Sequence, residues 1–204
     1  MPCKVPRSNM SGQMTPATVD ELEPTLEELA EQCKAGDRSA FEPLVQRLES
    51  RVTFFLYRMV GNMDDAADLA QDSFVKAYKN IHRYDSKYSF TTWLFTIAKR
   101  TALNYFRASK PTVEFQEYTE VDETHPSSLL ESKDETRSLW SLAKRVLKPK
   151  QYEALWLRYG EDFTIEETAR VMKTNQIRVR VLVHRARGIL MRHLQNETGE
   201  ELCL

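Results

Sequence analysis

The sequence predicts an all-α fold: two small helical domains joined by a flexible acidic linker, the second a helix-turn-helix. Three observations carry this expectation. Apolar residues recur at i, i+3, i+4 and i+7 between short polar turns, the period of helices with one buried stripe. No segment sustains period-2 alternation between turn signals, so no sheet is expected. The apolar pattern disappears near residues 109–133, where acids and prolines replace it.

Residues 1–24 are polar, carry Pro2, Pro6, Pro16 and Pro24, and read as a disordered tail. The first domain is expected over 25–108. Leu26, Leu29, Ala30 and Cys33 mark a short helix with Gly36 as its C-cap. Asp37 or Ser39 can cap the next, whose stripe is Phe41, Leu44, Val45, Leu48, Val52, Phe55, Leu56 and Met59, ended by Gly61-Asn62. A third helix is expected from Asp64 to about Ile81, buried along Ala67, Ala70, Phe74, Ala77, Tyr78 and Ile81. After a loop over 82–89, a fourth runs to Arg107 with Phe90, Trp93, Leu94, Ile97, Ala98 and Thr101 inward. The segment 109–133 reads as a linker, either a solvated spacer or a mobile anion for a basic channel. The second domain, 134–195, resumes at Leu139, Leu142, Ala143, Val146 and Leu147. Pro149 suits the first turn of the helix that carries Tyr152, Leu155, Trp156 and Tyr159. Thr164 and Glu167 form a capping box for a helix through Met172, and Asn175 can cap a last helix to about Leu194. Residues 196–204 are a tail.

Charge is balanced over the 204 residues, with a formal net of -1, so a nucleic-acid surface must be a local patch. Cys3, Cys33 and Cys203 are scattered and form no CxxC pair, which argues against a disulfide framework or zinc site and fits a reducing cytoplasm. No secretory signal and no apolar run of about 20 residues is present. A soluble cytoplasmic protein without membrane insertion is expected.

The chemistry concentrates in residues 62–107. Asp64, Asp65, Asp68 and Asp72 crowd the start of a helix, where carboxylates complement the dipole. Asp68 and Asp72 lie one turn apart, as metal ligands could, but no His or Glu joins them at a convincing spacing. No P-loop or nucleophile motif occurs. A protein-docking face is therefore favoured over a metal-dependent enzyme, and no cofactor, metal or catalytic residue is expected. Downstream, Tyr84, Tyr88, Phe90, Trp93, Tyr105 and Phe106 interleave with Arg83, Lys87, Lys99, Arg100 and Arg107. That suits stacking of unpaired bases along a basic track, although Phe90 and Trp93 can equally be core. The last helix sets Arg178, Arg180, His184, Arg185, Arg187 and Arg192 against a stripe of Val179, Val183, Ala186 and Leu190. It is either a groove reader or an ordinary solvated helix.

Together these regions resemble the small two-domain sigma factors of bacterial RNA polymerase, the extracytoplasmic-function class. The resemblance rests on residues 64–74 (DDAADLAQDSF), 90–100 (FTTWLFTIAKR), 147–151 (LKPKQ), 164–169 (TIEETA) and 184–187 (HRAR). It implies that Asp65, Asp68, Leu69, Gln71, Asp72 and Phe74 form or support the face that docks on core polymerase. It implies that Tyr88, Ser89, Phe90, Trp93, Lys99, Arg100, Asn104 and Arg107 serve the opened −10 element, with the 82–89 loop taking a flipped base. Gln176, Arg178, Arg180, His184, Arg185 and Arg187 would read the duplex −35 element. Partners would be core RNA polymerase, promoter DNA and an anti-sigma factor. The chain departs from the family at Lys173, where glycine is usual, at Ile177, often small or glycine, and at Leu182, often basic. The competing reading is a stand-alone helix-turn-helix regulator with a sensory or dimerising N-terminal domain.

Overall fold

The computed structural model describes residues 23–109 and 134–198. The expected tails and acidic linker fall outside these residues except at their edges. The described helices are α1 (Leu26–Lys34), α2 (Phe41–Val60), α3 (Met63–Lys79), α4 (Phe90–Ser109), α5 (Asp134–Val146), α6 (Pro149–Tyr159), α7 (Ile165–Val171) and α8 (Gln176–Thr198). Short 3-10 turns occupy Arg38–Ala40 and Ile81–Arg83. The described residues contain no strand.

Local chemistry sets the helix ends. Thr25 and Glu28 close a capping box on α1. Gly61 takes the left-handed conformation (φ 82°) that terminates α2. The Asn62 side chain then accepts from the amides of Asp64 and Asp65 at 2.8 and 3.1 Å, starting α3 one residue earlier than Asp64. α4 receives two caps: the Thr92 amide donates to Ser89 Oγ at 3.2 Å, and the Phe90 amide to the Glu27 carboxylate of α1 at 3.0 Å.

Two burial expectations need correction. α3 buries Ala66, Leu69, Ala70, Ser73, Phe74 and Ala77, while Ala67 and Tyr78 are exposed. The large side chains Leu69 and Phe74 set the phase, and 66, 69, 70, 73 and 77 lie on their arc whereas 67 does not. α4 buries more than one stripe, since Thr91, Thr92, Phe95 and Ala102 are also enclosed. It packs against α2 and α3 on one side and α7 on another, and the Phe95 ring meets Phe55 at 5.0 Å and Phe163 at 5.1 Å.

The second unit, α5–α8, follows its sequence signals. Pro149 opens α6, Thr164 and Glu167 cap α7, and Asn175 Oδ1 accepts from the Arg178 amide at 2.8 Å. Val179, Val183, Ala186 and Leu190 are buried. Lys173, in the turn before α8, has φ 52°. A side chain in this left-handed region costs roughly 1–2 kcal/mol, which explains why glycine suits the position.

The two units share a core. Trp156, Leu157, Phe163 and Val171 belong to the same buried cluster as Leu44, Leu56 and Phe90 of the first unit. The Trp156 indole lies 5.7 Å from the Phe54 ring of α2 and 4.7 Å from Trp140 of α5. Its other side is closed by Gly160, where an added Cβ would sit 2.7 Å from the indole. Gly160→Ala must therefore push a buried ring, and overpacking of this kind costs about 1–3 kcal/mol. Denaturant unfolding of the variant should show that loss; an unchanged midpoint would mean the indole has room to move.

Candidate functional site

The α3 face separates into a surface and its support. Asp68, Gln71 and Asp72 are exposed, and Asp65 is half-buried with its Oδ2 accepting from the Tyr105 hydroxyl at 2.9 Å. Asp72 pairs with Lys76 one turn on at 2.6 Å. Leu69 and Phe74 point into the core, so they hold the helix in place beneath that face and are not part of its surface. Among the described residues, no group of three or more His, Cys, Asp or Glu side chains converges as a metal site would require.

The aromatic and basic stretch divides differently. Phe90 is 0 % exposed, and Tyr84 is buried with its hydroxyl donating to the Tyr88 carbonyl at 2.7 Å. Trp93 is half-buried against both, with ring centroids 5.6 Å away in each case. The packing alternative thus holds for Phe90, which is enclosed and offers no face to a base. Arg100, Asn104 and Arg107 are exposed at i, i+4 and i+7 on one face of α4.

Tyr88, Ser89 and Lys99 are engaged by the second unit. The Ser89 hydroxyl donates to Glu167 Oε1 at 2.9 Å, and the Thr92 hydroxyl reaches the same oxygen at 3.1 Å. Lys99 pairs with Glu153 of α6 in a largely buried contact. The Arg170 guanidinium lies 3.3 Å from the Tyr88 ring centroid. Farther along the same seam, Arg51 of α2 binds Glu161 at 3.0 Å, and Trp156 donates to the other oxygen of that carboxylate at 3.2 Å.

Sequence reasoning did not single out Arg51, Arg58, Glu153, Glu161 or Arg170. The available signal was Arg51 and Arg58 at i and i+7 with Phe54 between them, a mixed stripe that is normally read as solvated. Glu167 was recognisable as a capping residue: its Oε2 accepts from the Thr164 amide at 2.9 Å and hydroxyl at 2.8 Å. Its second set of donors, on α4, was not.

On α8, Gln176, Arg178, Arg180, His184, Arg185 and Arg187 are all exposed, and among the described residues none of the four arginines pairs with a carboxylate. α7, the turn and α8 thus present an uncompensated basic face on the second helix of a helix-turn-helix. Ile177, at the start of that face, is 70 % exposed, and Val181 one turn on is also exposed.

Residues 44–112 match the family model of Sigma-70 region 2, and residues 141–190 that of Sigma-70 region 4. The chain belongs to the extracytoplasmic-function sigma factors of RNA polymerase. It is 31% identical over 182 residues to the RNA polymerase sigma-H factor of Pseudomonas aeruginosa, covering 83% of this chain and 93% of the other. The sigma factor SigW of Bacillus subtilis is 26% identical over 189 residues, covering 86% and 100%. BldN of Streptomyces coelicolor is 31% identical over 176 residues, covering 83% of this chain and 66% of its relative. Among solved structures, the fold resembles CnrH in complex with the cytosolic domain of CnrY, at 21% identity, TM-score 0.59, and coverage of 83% and 97%. It also resembles the sigma factor RpoE in complex with the anti-sigma factor NepR from Bartonella quintana, at 21% identity, TM-score 0.57, and coverage of 76% and 96%. This sigma factor directs RNA polymerase to promoters, and region 2 and region 4 correspond to α2–α4 and to α5–α8. No helix among its described residues is long and apolar enough to cross a membrane.

Electrostatics separates the seam's carboxylates. Burial alone would raise the Glu167 pKa, but hydrogen bonds from Thr164, Ser89 and Thr92 outweigh it and hold the group below its ordinary value. Burial raises Glu161, opposed by Arg51, Trp156 and Arg58. A depressed carboxylate contributes stability that is complete above its unfolded pKa and is lost as pH falls through its folded pKa. Glu167→Gln should therefore be less stable than the parent at neutral pH, with the gap closing on acidification. Parallel melts across that range check this, and a gap independent of pH would assign the loss to shape and not charge.

Proposed function

We propose that this sigma factor docks on core polymerase through Asp65, Asp68, Gln71 and Asp72, with Leu69 and Phe74 supporting them from below. Arg178, Arg180, Arg185 and Arg187, with Gln176 and His184, read the duplex −35 element. Tyr88, Ser89, Trp93, Lys99, Arg100, Asn104 and Arg107 hold the opened −10 strand, and Phe90 buttresses them. The observation that carries this reading is the arginine face of α8, seated as a reading helix and unopposed by carboxylates among the described residues. The domains proposed are 25–108 and 134–195, joined by the acidic linker. The chain contributes binding and no covalent chemistry, and it acts in the cytoplasm.

Its mechanism is an exchange of contacts. Duplex reading upstream and docking on polymerase place region 2 beside the −10 base pairs. Capture of unstacked bases, roughly 1–3 kcal/mol each on an aromatic face, then offsets the cost of unpairing. Either region alone binds weakly, and joining both on one DNA raises the effective concentration of the second contact. An anti-sigma factor is proposed as a further partner, on the strength of the complexes that similar folds form.

Run-off transcription with core polymerase tests the assignment. Arg180→Ala should weaken −35 binding by about 1–3 kcal/mol while leaving polymerase association intact, and Asp68→Ala should do the reverse. Equal loss of the same function in both variants would break the division of labour. A stand-alone regulator would instead bind duplex tightly without polymerase.

Ile177 and Val181 suit apolar contact with thymine methyl groups, a use for the departure at Ile177. Replacing −35 thymines by deoxyuridine should weaken binding by the parent and leave Ile177→Ser unaffected at the contacted base. Equal sensitivity in both proteins would place Ile177 away from the bases.

A further inference from the structure

Four polar contacts fasten the second unit to the first: three lie along the first half of α4 and the residues just before it and use chemistry that suits nucleic acid, and the fourth joins α2. Glu167 places one carboxylate oxygen at the start of α4, where two hydroxyls meet it at 2.9 and 3.1 Å. A helix N-terminus ringed by donors is also a place where a phosphate binds. Glu153 neutralises Lys99. Arg170 lies against Tyr88 as a stacked base would. Glu161 holds Arg51, with only 5% of its side chain exposed. Behind these polar contacts, Arg58 of α2 sits 3.4 Å from the Trp156 ring centroid, with Trp140 and Tyr152 also within cation–π reach.

We propose that the second unit acts as an intramolecular stand-in for the −10 strand: Glu167, Glu153 and Arg170 occupy Ser89, Thr92, Lys99 and Tyr88, so the free chain is closed and must open before that strand is held. This rests on the assignment of the −10 face above. The covering is selective. Asp68, Gln71 and Asp72 on α3 and the arginines of α8 stay exposed in the closed arrangement. The docking face and the duplex reader are therefore available while Ser89, Thr92 and Lys99 are engaged and one face of the Tyr88 ring lies under Arg170, the rest of that side chain staying exposed. Of the −10 residues, Arg100, Asn104 and Arg107 also remain exposed, so the block falls on base capture and not on the basic track. A closed state that is the major population lowers apparent affinity by the fraction that is open.

The Arg51–Glu161 pair allows a clean test, because neither residue belongs to a proposed DNA or polymerase face. Full-length protein, with Cys3 and Cys203 replaced by serine, is labelled through Lys79→Cys and His193→Cys, one dye in each unit. Energy transfer in the free parent should be high, should fall in Arg51→Glu and in Glu161→Arg, and should recover when the two reversals are combined. A short single strand, carrying the non-template −10 sequence of a promoter that the holoenzyme transcribes, should bind each single reversal about tenfold tighter than the parent. If the reversals compromise folding, Glu153→Gln with Arg170→Ala loosens the same seam without touching the Arg51–Glu161 pair and should give the same two readouts. Folded variants whose energy transfer and strand affinity match the parent would overturn the closed state. Absence of any transcript would instead remove the promoter assignment, and the energy transfer would still decide whether the chain closes.

Discussion

A guanidinium enclosed by aromatic rings is the constraint on which the arrangement of the two units depends. Arg58 lies over Trp156 and within reach of Phe54, Tyr152 and Trp140, and its buried Nε has no hydrogen-bond partner. Burial pushes its pKa down to about 9, opposed by Glu161 and Tyr57, so it is still a cation at neutral pH. Such a charge is tolerable only while ring faces surround it, each desolvated contact being worth about 2 kcal/mol. Three of those rings belong to the second unit. The placement of α6 on α2 is therefore specified by charge as well as by shape: a displaced buried charge costs several kcal/mol, whereas a displaced methyl group costs much less. The Arg51–Glu161 pair lies two turns away along α2 with only its carboxylate buried, and Trp156 links it to Arg58 through its bond to Glu161.

From this seam the contacts become more polar toward the start of α4. Hydroxyls and a tyrosine ring there meet a carboxylate or a guanidinium near the surface, and such groups lose little when water replaces the partner, whereas the largely buried Lys99–Glu153 pair farther along α4 needs another anion in its place. α4 thus has two roles that pull in different directions. Its inner side, through Phe90, Leu94, Phe95 and Ala98, joins the core. Its N-terminal edge carries groups whose bonds can be exchanged. An element that is rigid inside and exchangeable at its edge can present the same geometry to either of two partners.

Most of the fold was legible in the sequence because its determinants are local. The caps at Thr164 and Asn175, Pro149 at the start of α6 and the buried stripe of α8 follow from residues within a turn or two of each other. What escaped was the contact between units, since Glu161 lies 110 residues from Arg51 and no local pattern links them. For the same reason Phe95 was left off the inward face of α4, and Arg58 reads as a surface charge until the second unit covers it. The exposure of Asp68 and Asp72 on the proposed docking face was legible, because it follows from helical phase. Leu69 and Phe74 share that segment but turn inward, which is how an amphipathic helix supports a polar surface. Phe90 shows the limit of reading aromatics as base platforms, because its spacing fits core and platform alike and only burial separates the two.

The polar edge and the apolar seam together make opening conditional. Exchanging Glu167 and Glu153 for phosphates replaces one set of charge-assisted hydrogen bonds with another, so that step alone is close to balanced. Separating α6 from α2 is different, because it uncovers Trp156, Phe54 and the Arg58 stem, and it uncovers Phe163 from Phe95. Water gives no compensation for that apolar area, which costs about 25 cal/mol per Å². DNA alone can repay the edge but not the seam. On the closed-state proposal, full opening therefore requires a surface that covers the exposed rings, or one that binds the separated units tightly enough to offset them. Core polymerase on the proposed α3 face, together with duplex −35 DNA on α8, would hold the two units apart, which ties capture of the −10 strand to holoenzyme assembly.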